Sequence, residues 1–298
     1  MSAAMIALLP TRGVVSVTGE DAAAFLDNLV TNDMAQLTAP GDAIHAGLLT
    51  PQGKILFEFF VIKTGAGFLL ETAFDATAAL AKRLTMYKLR AKIEIKDAAG
   101  EVVVAVSQGD VRARPSGAIA FVDPRHPKLG DRILIPAPMV GAAVAETGAR
   151  RMTLDIYHAQ RIVLGVPEAG VDYALGDTFP HEADFDRFNG VSFTKGCYVG
   201  QEVVARMQNK SVSRKRVVRL EGGQPLVTGA DVKAGEAAIG RIGSVIKGHG
   251  LALLRLDRVA EAIDKKQPLT SDGQAVTIDA ASIAAYREAV ANRPVIDL

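Results

Sequence analysis

The sequence predicts an α+β protein with a small β domain at its C-terminus. Between residues 13 and 164, segments typical of strands alternate with segments of helical periodicity, which favours helices packed on sheets. From Ser213 onward the pattern changes to short alternating strands separated by glycines, which is typical of a barrel or sandwich. A chain of 298 residues exceeds one ordinary core, so we expect two or three domains.

The first forty residues are predicted to form a strand and then a helix. Gly13 to Val17 is the strand, and Glu20 and Asp21 supply acidic residues at the start of the helix. The apolar residues that follow recur at helical spacing: Ala24, Phe25, Leu26, Leu29 and Val30. Pro40-Gly41-Asp42 interrupts the chain after this helix.

The block from residue 43 to residue 149 is predicted to be a sheet with two helices. The predicted strands are Ala43–Leu49, Lys54–Lys63, Gly67–Glu71, Val102–Ser107, Ile119–Val122 and Ile133–Pro136. The predicted helices are Asp75–Leu89 and Pro138–Thr147.

The rest of the chain is predicted to hold two helices and then the strands of the small β domain. Thr153–Leu164 and Val199–Gln208 are the helices, and a loop rich in Gly, Pro and Asp separates them. The strands are Lys215–Leu220, Ala238–Val245 and Leu251–Leu256.

Composition and charge exclude several classes of protein. A hydrophobic fraction of 49% with 22% charged residues is globular, and a net charge of +1 gives no overall attraction to nucleic acid or anionic membranes. One cysteine cannot form an intramolecular disulfide, and no apolar run reaches the ~18–20 residues of a membrane span. The N-terminus has no basic region typical of a secretory signal. We therefore expect a soluble cytoplasmic monomer without direct nucleic-acid or membrane partners.

The single cysteine is the first candidate for chemistry. Cys197 lies between Lys195, two glycines and Tyr198, just before a predicted helix. Nearby cations and helix N-termini favour the reactive thiolate form of a cysteine. Gly196 and Gly200 allow positive φ or the close approach of a flat ligand. A free cysteine is also often a small buried hydrophobe, and the two interpretations stay open at this point.

Other candidates carry weaker signals. The five histidines are scattered singly, without the spacing of metal ligands. The cluster His181-Glu182-Ala183-Asp184 is interpreted either as a ligand-binding group or as a solvated loop. The basic run Arg214-Lys215-Arg216, with Lys210 and Arg219, would suit an anionic tail, RNA phosphates or the solvated face of a strand, and the strand is favoured.

A longer motif around the cysteine resembles a known family. The segment Phe193-Thr194-Lys195-Gly196-Cys197-Tyr198-Val199-Gly200-Gln201-Glu202 contains the pattern K-G-C-Y-x-G-Q-E, which resembles the signature of the YgfZ family of folate-binding proteins. Arg161-Ile162 with Gly165-Val166-Pro167, and Phe179-Pro180-His181-Glu182, resemble the same family upstream of the motif. Gly240–Val245 and Ala252–Arg255 resemble its C-terminal barrel, so the resemblance spans most of the chain.

This resemblance implies the fold of the glycine cleavage T protein superfamily. That fold is a three-domain cloverleaf with a ferredoxin-like α+β domain and a C-terminal β-barrel around a central channel. The expected domains are residues 1–41 plus 150–212, residues 42–149 and residues 213–298. The implied function is assembly or repair of iron–sulfur clusters, including those of tRNA-modifying methylthiotransferases, with assembly or client proteins as partners and tetrahydrofolate as ligand. No stably bound metal is expected.

Two departures from the T proteins argue against aminomethyl transfer. Where those enzymes carry an acidic pair after a glycine turn, this chain reads Lys54-Ile55-Leu56-Phe57-Glu58-Phe59 and keeps only Glu58. Where they place a glutamate two residues after the arginine that matches Arg161, this chain has Val163. A conventional enzyme is therefore not expected, and a folate-dependent one-carbon transferase using Glu58 is the alternative.

The expected site centres on Cys197 as the functional thiol and Lys195 as its activating cation. The residues expected to contact folate are Lys195, Gly196, Cys197, Tyr198, Gly200, Gln201, Glu202, Arg206 and Arg161, with Arg206 and Arg161 facing the glutamyl tail. One cysteine cannot hold a cluster alone, since clusters generally need four ligands. Cys197 is thus either a transient ligand of a cluster or iron, or a redox-active thiol. A plain thiol redox protein, to which folate is irrelevant, is the third hypothesis.

Overall fold

The chain divides into two compact units. The structure is a computed structural model that describes residues 4–109, 115–210 and 212–292. The first unit comprises Met1–Leu49, Leu56–Tyr157 and Phe188–Val199. The second unit comprises Thr50–Ile55, His158–Arg187 and Gly200–Leu298.

Two five-stranded sheets form the first unit. Its strands are β1 (Met5–Leu8), β2 (Arg12–Thr18), β3 (Ala43–Leu49), β4 (Ile55–Lys63), β5 (Gly67–Ala73), β6 (Glu94–Asp97), β7 (Val102–Gln108), β8 (Ile119–Val122), β9 (Asp131–Pro136) and β10 (Arg150–Arg151). One sheet has the order β10-β1-β7-β9-β8 and the other the order β3-β4-β5-β2-β6. Only β1 and β10 pair in parallel, among the strand pairs described within these sheets.

Helices cover both sheets because their apolar residues recur every three or four positions. The helices are α1 (Ala22–Asp27), α2 (Thr77–Tyr87) and α3 (Val140–Glu146). Leu26 of α1 and Leu80 and Leu84 of α2 belong to the core that includes Val15 of β2 and Phe59 of β4. In α3, Ala143 packs with the other sheet. These contacts follow the usual logic of an apolar helix stripe on a sheet.

A buried network of charges joins the two sheets of the first unit. Arg132 of β9 donates from Nη1 to Oε1 of Glu71 in β5 at 3.2 Å and from Nη2 to the Tyr157 hydroxyl at 2.6 Å. Asp123 accepts from Arg132 and Arg125 at 2.9–3.3 Å. Burial alone would raise the pKa of Asp123, but these two guanidinium groups lower it well below its usual range. Such a network fixes which strands face each other more than it adds stability.

The second unit contains a closed barrel. Its strands are β11 (Lys215–Gly222), β12 (Asp231–Ala234), β13 (Ala237–Ile246), β14 (His249–Arg255), β15 (Leu269–Ser271) and β16 (Gln274–Ile278), in the order β11-β14-β13-β12-β15-β16. Pairing of Leu220 with Ile278 closes it. The helices are α4 (Leu154–Leu164), which begins in the first unit, α5 (Gln201–Lys210), α6 (Leu256–Asp264) and α7 (Ala280–Ala291).

Strands from both sides of residue 41 complete the two sheets of the first unit. β1 pairs with β7, and β2 pairs with β5 and β6. The division into residues 1–41 plus 150–212, residues 42–149 and residues 213–298 stays a prediction. The predicted C-terminal domain contains every described strand of the barrel. Residues 1–3, 110–114, 211 and 293–298 of the predicted domains lie outside the described residues.

Candidate functional site

The segment that carries Cys197 is an irregular loop, and two polar residues of the first unit form hydrogen bonds with its backbone. Thr31 donates from Oγ1 to the Gly190 carbonyl at 2.6 Å, and its own carbonyl accepts from Ser192 N at 2.9 Å. Asn32 donates from Nδ2 to the Asn189 carbonyl at 2.7 Å. Because Thr31 and Asn32 are buried, these bonds are shielded from water and hold the segment firmly.

Lys195 binds the last residue of α1 and the residues that follow this helix. Its side chain is only 1% exposed, and Nζ donates to the carbonyls of Asp27 at 2.6 Å, Val30 at 3.0 Å and Asn32 at 2.9 Å. The Asp27 carboxylate lies 3.0 Å away. Burial lowers the pKa of Lys195, while the hydrogen bond and charge of Asp27 oppose that shift. An ammonium has three donors, and three carbonyls accept them, so this geometry assigns Lys195 a positioning role.

Cys197 is exposed, and the glycine beside it has open space. A Cβ added at Gly196 would meet no atom within 4 Å, and its φ is not in the left-handed region. Local packing therefore does not explain this glycine. The next residue, Tyr198, is buried, and its ring centroid lies 5.4 Å from Lys195 Nζ. Burial raises the pKa of Tyr198 to about 12. The loop thus exposes the Cys197 thiol to solvent, while the neighbouring side chains of Lys195 and Tyr198 are buried.

The second half of the motif belongs to the second unit. Gly200 has φ +82°, a conformation that favours glycine, and α5 begins at Gln201, two residues later than predicted. Glu202 and Arg206 are exposed and form an i,i+4 ion pair at 3.0 Å. Activation of Cys197 by a helix terminus stays a prediction.

Arg161, one of the residues expected to contact folate, is buried in the second unit. It is 2% exposed and donates from Nη1 to Asp172 at 2.6 Å and to the Val166 carbonyl at 2.8 Å. Its Nη2 donates to Ser244 Oγ of the barrel at 2.5 Å. These contacts lie inside the second unit and make Arg161 part of its core. Contact of Arg161 with a folate tail stays a prediction.

Glu58, the only acidic residue kept from the transferase pair, is also engaged. Its Oε1 lies 2.9 Å from Nε2 of His45, and both side chains are buried. The other ring nitrogen of His45 lies 2.9 Å from the Phe188 carbonyl, at the start of the Cys197 segment. The pair therefore supports that segment.

Arg216 of the basic run pairs with Asp184 of the cluster at residues 181–184. His181 and Asp184 are buried, which contradicts the solvated-loop interpretation. Arg216 donates to Asp184 at 2.6 Å and binds Asp186 through two nitrogens. For Arg216 the solvated-face interpretation is therefore wrong, because its guanidinium neutralises two carboxylates. The side chain of Lys210 lies outside the described residues.

Sequence reasoning missed Thr31, Asn32 and Asp27 as supports of the loop. The polar run Thr31-Asn32-Asp33 after an apolar helix was the available signal, since such residues favour hydrogen bonds to nearby backbone. Within residues 4–109, 115–210 and 212–292, no group of three His, Cys, Asp or Glu side chains is placed to hold a metal ion. In the same ranges, no helix is both long and apolar enough to cross a membrane.

Known proteins resemble this chain in sequence. A family model described as "CAF17, C-terminal beta-barrel domain" matches residues 214–285. The protein of Mus musculus named "Iron-sulfur cluster assembly factor IBA57, mitochondrial" is 33% identical over 307 residues, covering 91% of this chain and 82% of the mouse protein. The Homo sapiens protein of that name is 35% identical over 280 residues, covering 84% and 77%. The chain spans about half the length of the first fungal relatives. The relative from Mycosarcoma maydis is 33% identical over 72% of this chain, and the match covers 56% of that relative.

The fold also matches a solved structure. Glycine cleavage system aminomethyltransferase T from Bartonella henselae superposes with a TM-score of 0.74 over 95% of this chain and 86% of that chain, at 15% identity. This likeness confirms the predicted T protein-like α+β fold with its C-terminal barrel, and it establishes the fold alone. The expectation of a cytoplasmic protein is wrong, because the relatives are named mitochondrial.

Proposed function

We propose that this chain, which belongs to the family of IBA57 iron–sulfur cluster assembly factors, assists cluster assembly through the Cys197 thiol. The observation that carries the proposal is the placement of Cys197. The only cysteine of the chain is exposed on a loop that Lys195 fixes by three backbone contacts, beside a glycine whose Cβ space is empty. A loop that is fixed by hydrogen bonds and exposes its sulfur suits a thiol that contacts a partner protein.

Cys197 acts with a second protein or a small thiol in this proposal. Iron–sulfur clusters take about four ligands, and one sulfur supplies only one of them. The remaining ligands come from an iron–sulfur assembly or client protein, or from an external thiol. The finer family assignment to YgfZ stays a prediction, and so does service to tRNA-modifying methylthiotransferases.

Substitution of Cys197 tests the proposal directly. In cells that lack the native copy, we expect Cys197→Ala to lose support of iron–sulfur enzyme activity and of tRNA methylthiolation, with Ser192→Ala as a control in the same loop. Unchanged activity with Cys197→Ala would refute the function. If only tRNA methylthiolation is unchanged, the client assignment alone fails.

A further variant separates a cluster ligand from a redox thiol. Histidine can bind the iron of a cluster but cannot form a disulfide. We therefore expect Cys197→His to keep part of the activity if the thiol is a ligand. If Cys197→His is as inactive as Cys197→Ala while both fold normally, the thiol acts by redox chemistry.

Tetrahydrofolate is proposed as an accessory ligand on the resemblance of the motif. The predicted contacts fit it only in part, because Arg161 is buried and Lys195 has its donors engaged. Arg206 is the exposed candidate for the glutamyl tail. By calorimetry with tetrahydrofolate, we expect saturable binding that Arg206→Ala weakens. Arg258→Ala is the matched control, because Arg258 is also an exposed helical arginine paired with a glutamate. Absence of saturable heat would reject folate.

The rival function is a folate-dependent one-carbon transferase. It requires Glu58 as the working carboxylate, but Glu58 is buried and bound to His45. An assay for methylene-tetrahydrofolate with an amine donor decides between the two functions. We expect no product, and product that disappears in Glu58→Gln would favour the transferase.

A further inference from the structure

An exposed basic and apolar surface lies at the end of α2 in the first unit. We call it the α2-end surface, and it consists of Lys82, Arg83, Met86, Lys88, Leu89 and Arg90. Residues 82–90 carry four cations and no carboxylate, although the net charge of the whole chain is only +1. None of its residues belongs to the segment 188–199 that carries Cys197.

Leu89 is unusual in two independent ways. Its φ is +45°, in the left-handed region that a leucine rarely adopts, and its side chain is 90% exposed. It lies in a turn closed by a hydrogen bond from Ala91 N to the Lys88 carbonyl at 2.8 Å. Met86, on the last turn of α2, is 64% exposed. Leu89 directly follows Lys88, the C-cap of α2, where helices often end in the left-handed conformation but usually with glycine or asparagine. A leucine at this position adds backbone strain while its side chain stays in solvent, and such strain often occurs at functional positions.

The cations of this surface are not paired with carboxylates. Within the described part of the chain, none of the four takes part in an ion pair, whereas the nearby Lys92 and Lys96 pair with Glu20 and Glu101. Cations near a helix C-terminus are favoured by the helix dipole, which accounts for part of the charge. The dipole does not account for the exposed Leu89 and Met86.

We propose that the α2-end surface docks an acidic segment of a partner protein that inserts an apolar side chain against Leu89 and Met86. Unpaired cations around an apolar centre complement carboxylates around an apolar anchor, which is the usual arrangement of a polar rim and an apolar core. The two apolar side chains are aliphatic and offer no ring for stacking bases, which disfavours single-stranded nucleic acid. They are also too few for the long apolar face of a membrane-bound helix.

Photocrosslinking of the full chain in its own cells tests the proposal. With p-benzoylphenylalanine at Thr85, we expect an adduct with a protein whose crosslinked peptide is rich in Asp and Glu. Leu89→Asn and Arg90→Glu should each reduce the adduct at least tenfold. Val122→Thr, an exposed apolar position of the same unit, and Lys128→Glu, an equal charge change elsewhere, should leave it unchanged.

A stability measurement keeps the test independent of folding. Asparagine tolerates the left-handed region better than leucine, so Leu89→Asn should unfold at the same temperature as the native chain or higher. Lower stability of Leu89→Asn would make Leu89 a structural residue and overturn the proposal. An adduct with nucleic acid or lipid would also overturn the proposal, and so would a protein adduct that Leu89→Asn leaves unchanged. The same holds if p-benzoylphenylalanine at Lys128, outside the α2-end surface, gives as much protein adduct as at Thr85. None of these readouts depends on Cys197, so the proposal and the proposed function fail separately.

Discussion

Replacement of Lys195 by alanine should destabilise the protein by about 3 kcal/mol. The buried ammonium donates to the carbonyls of Asp27, Val30 and Asn32 at 2.6–3.0 Å. Lys195→Ala leaves these three acceptors without their donor. A buried acceptor without a donor costs about 1–3 kcal/mol, and the lower end for each gives about 3 kcal/mol. The lower end is appropriate because the lowered pKa of Lys195 indicates that burial of the ammonium is itself unfavourable.

Urea unfolding followed by circular dichroism measures this change. Lys195→Met is the matched variant, because it keeps the aliphatic length and removes only the charge and donors. It should lose nearly as much stability as Lys195→Ala. Lys265→Ala is the exposed control, since Lys265 only pairs with Glu261 on a helix surface and should change stability by less than about 0.5 kcal/mol.

The same variants separate positioning from activation of the thiol. If Lys195 activates Cys197, Lys195→Ala slows alkylation of Cys197 near neutral pH in the folded protein. Because the donors of Lys195 are engaged by carbonyls, we expect similar alkylation rates and a loss of stability. A loss of unfolding free energy below about 0.5 kcal/mol, or slower alkylation at unchanged stability, would refute the positioning role.

Three further substitutions test other parts of the structure. Burial lowers the pKa of His181, so between about pH 6.5 and this lowered pKa the unfolded chain binds more protons than the folded chain. The free energy of unfolding should therefore fall as the pH falls through this range. His181→Gln should reduce that pH dependence in unfolding curves measured at several pH values. Gly53→Ala should lower the free energy of unfolding by about 2 kcal/mol, because φ is +81° and the new Cβ would lie 2.8 Å from Cβ of Val203. Gly41→Ala, where φ is +96° but no atom lies near the new Cβ, should lower it less in the same unfolding measurements. Arg161→Met should lose about 3–5 kcal/mol in urea unfolding by leaving a buried aspartate unpaired, and a change below about 1 kcal/mol would contradict its role in the core.

Periodicity predicted most elements of the first unit because their apolar residues repeat regularly. The predicted strand Ala43–Leu49 matches β3, and the predicted helix Asp75–Leu89 contains α2, Thr77–Tyr87. The sequence patterns did not predict α6 or α7. In α7 the repeated alanines give a weak contrast between faces, whereas α6 has apolar residues at 256, 259 and 262 that could have been found. Short strands such as β15, with three residues, carry no measurable alternation.

The contacts that hold the candidate site could be predicted only in part. The motif singled out Cys197 and Lys195, and their functional roles stay predictions. Apart from the Asp27 carboxylate, the partners of Lys195 are backbone carbonyls 163–168 residues earlier, which any amino acid supplies. Contacts of that kind leave no trace in residue types, so sequence reasoning assigned the charge of Lys195 to its neighbour in the chain.

The buried pair of His45 and Glu58 connects the one carboxylate kept from the transferase pattern to the segment that carries the thiol. A carbonyl oxygen only accepts, so the contact of His45 Nδ1 with the Phe188 carbonyl requires a proton on Nδ1. The contact of Nε2 with Glu58 then holds one more proton, on the ring or on the carboxyl group. In either state Glu58 orients His45, and His45 holds the start of the segment that presents Cys197. The one carboxylate left from the transferase pattern therefore helps to position the segment that carries Cys197.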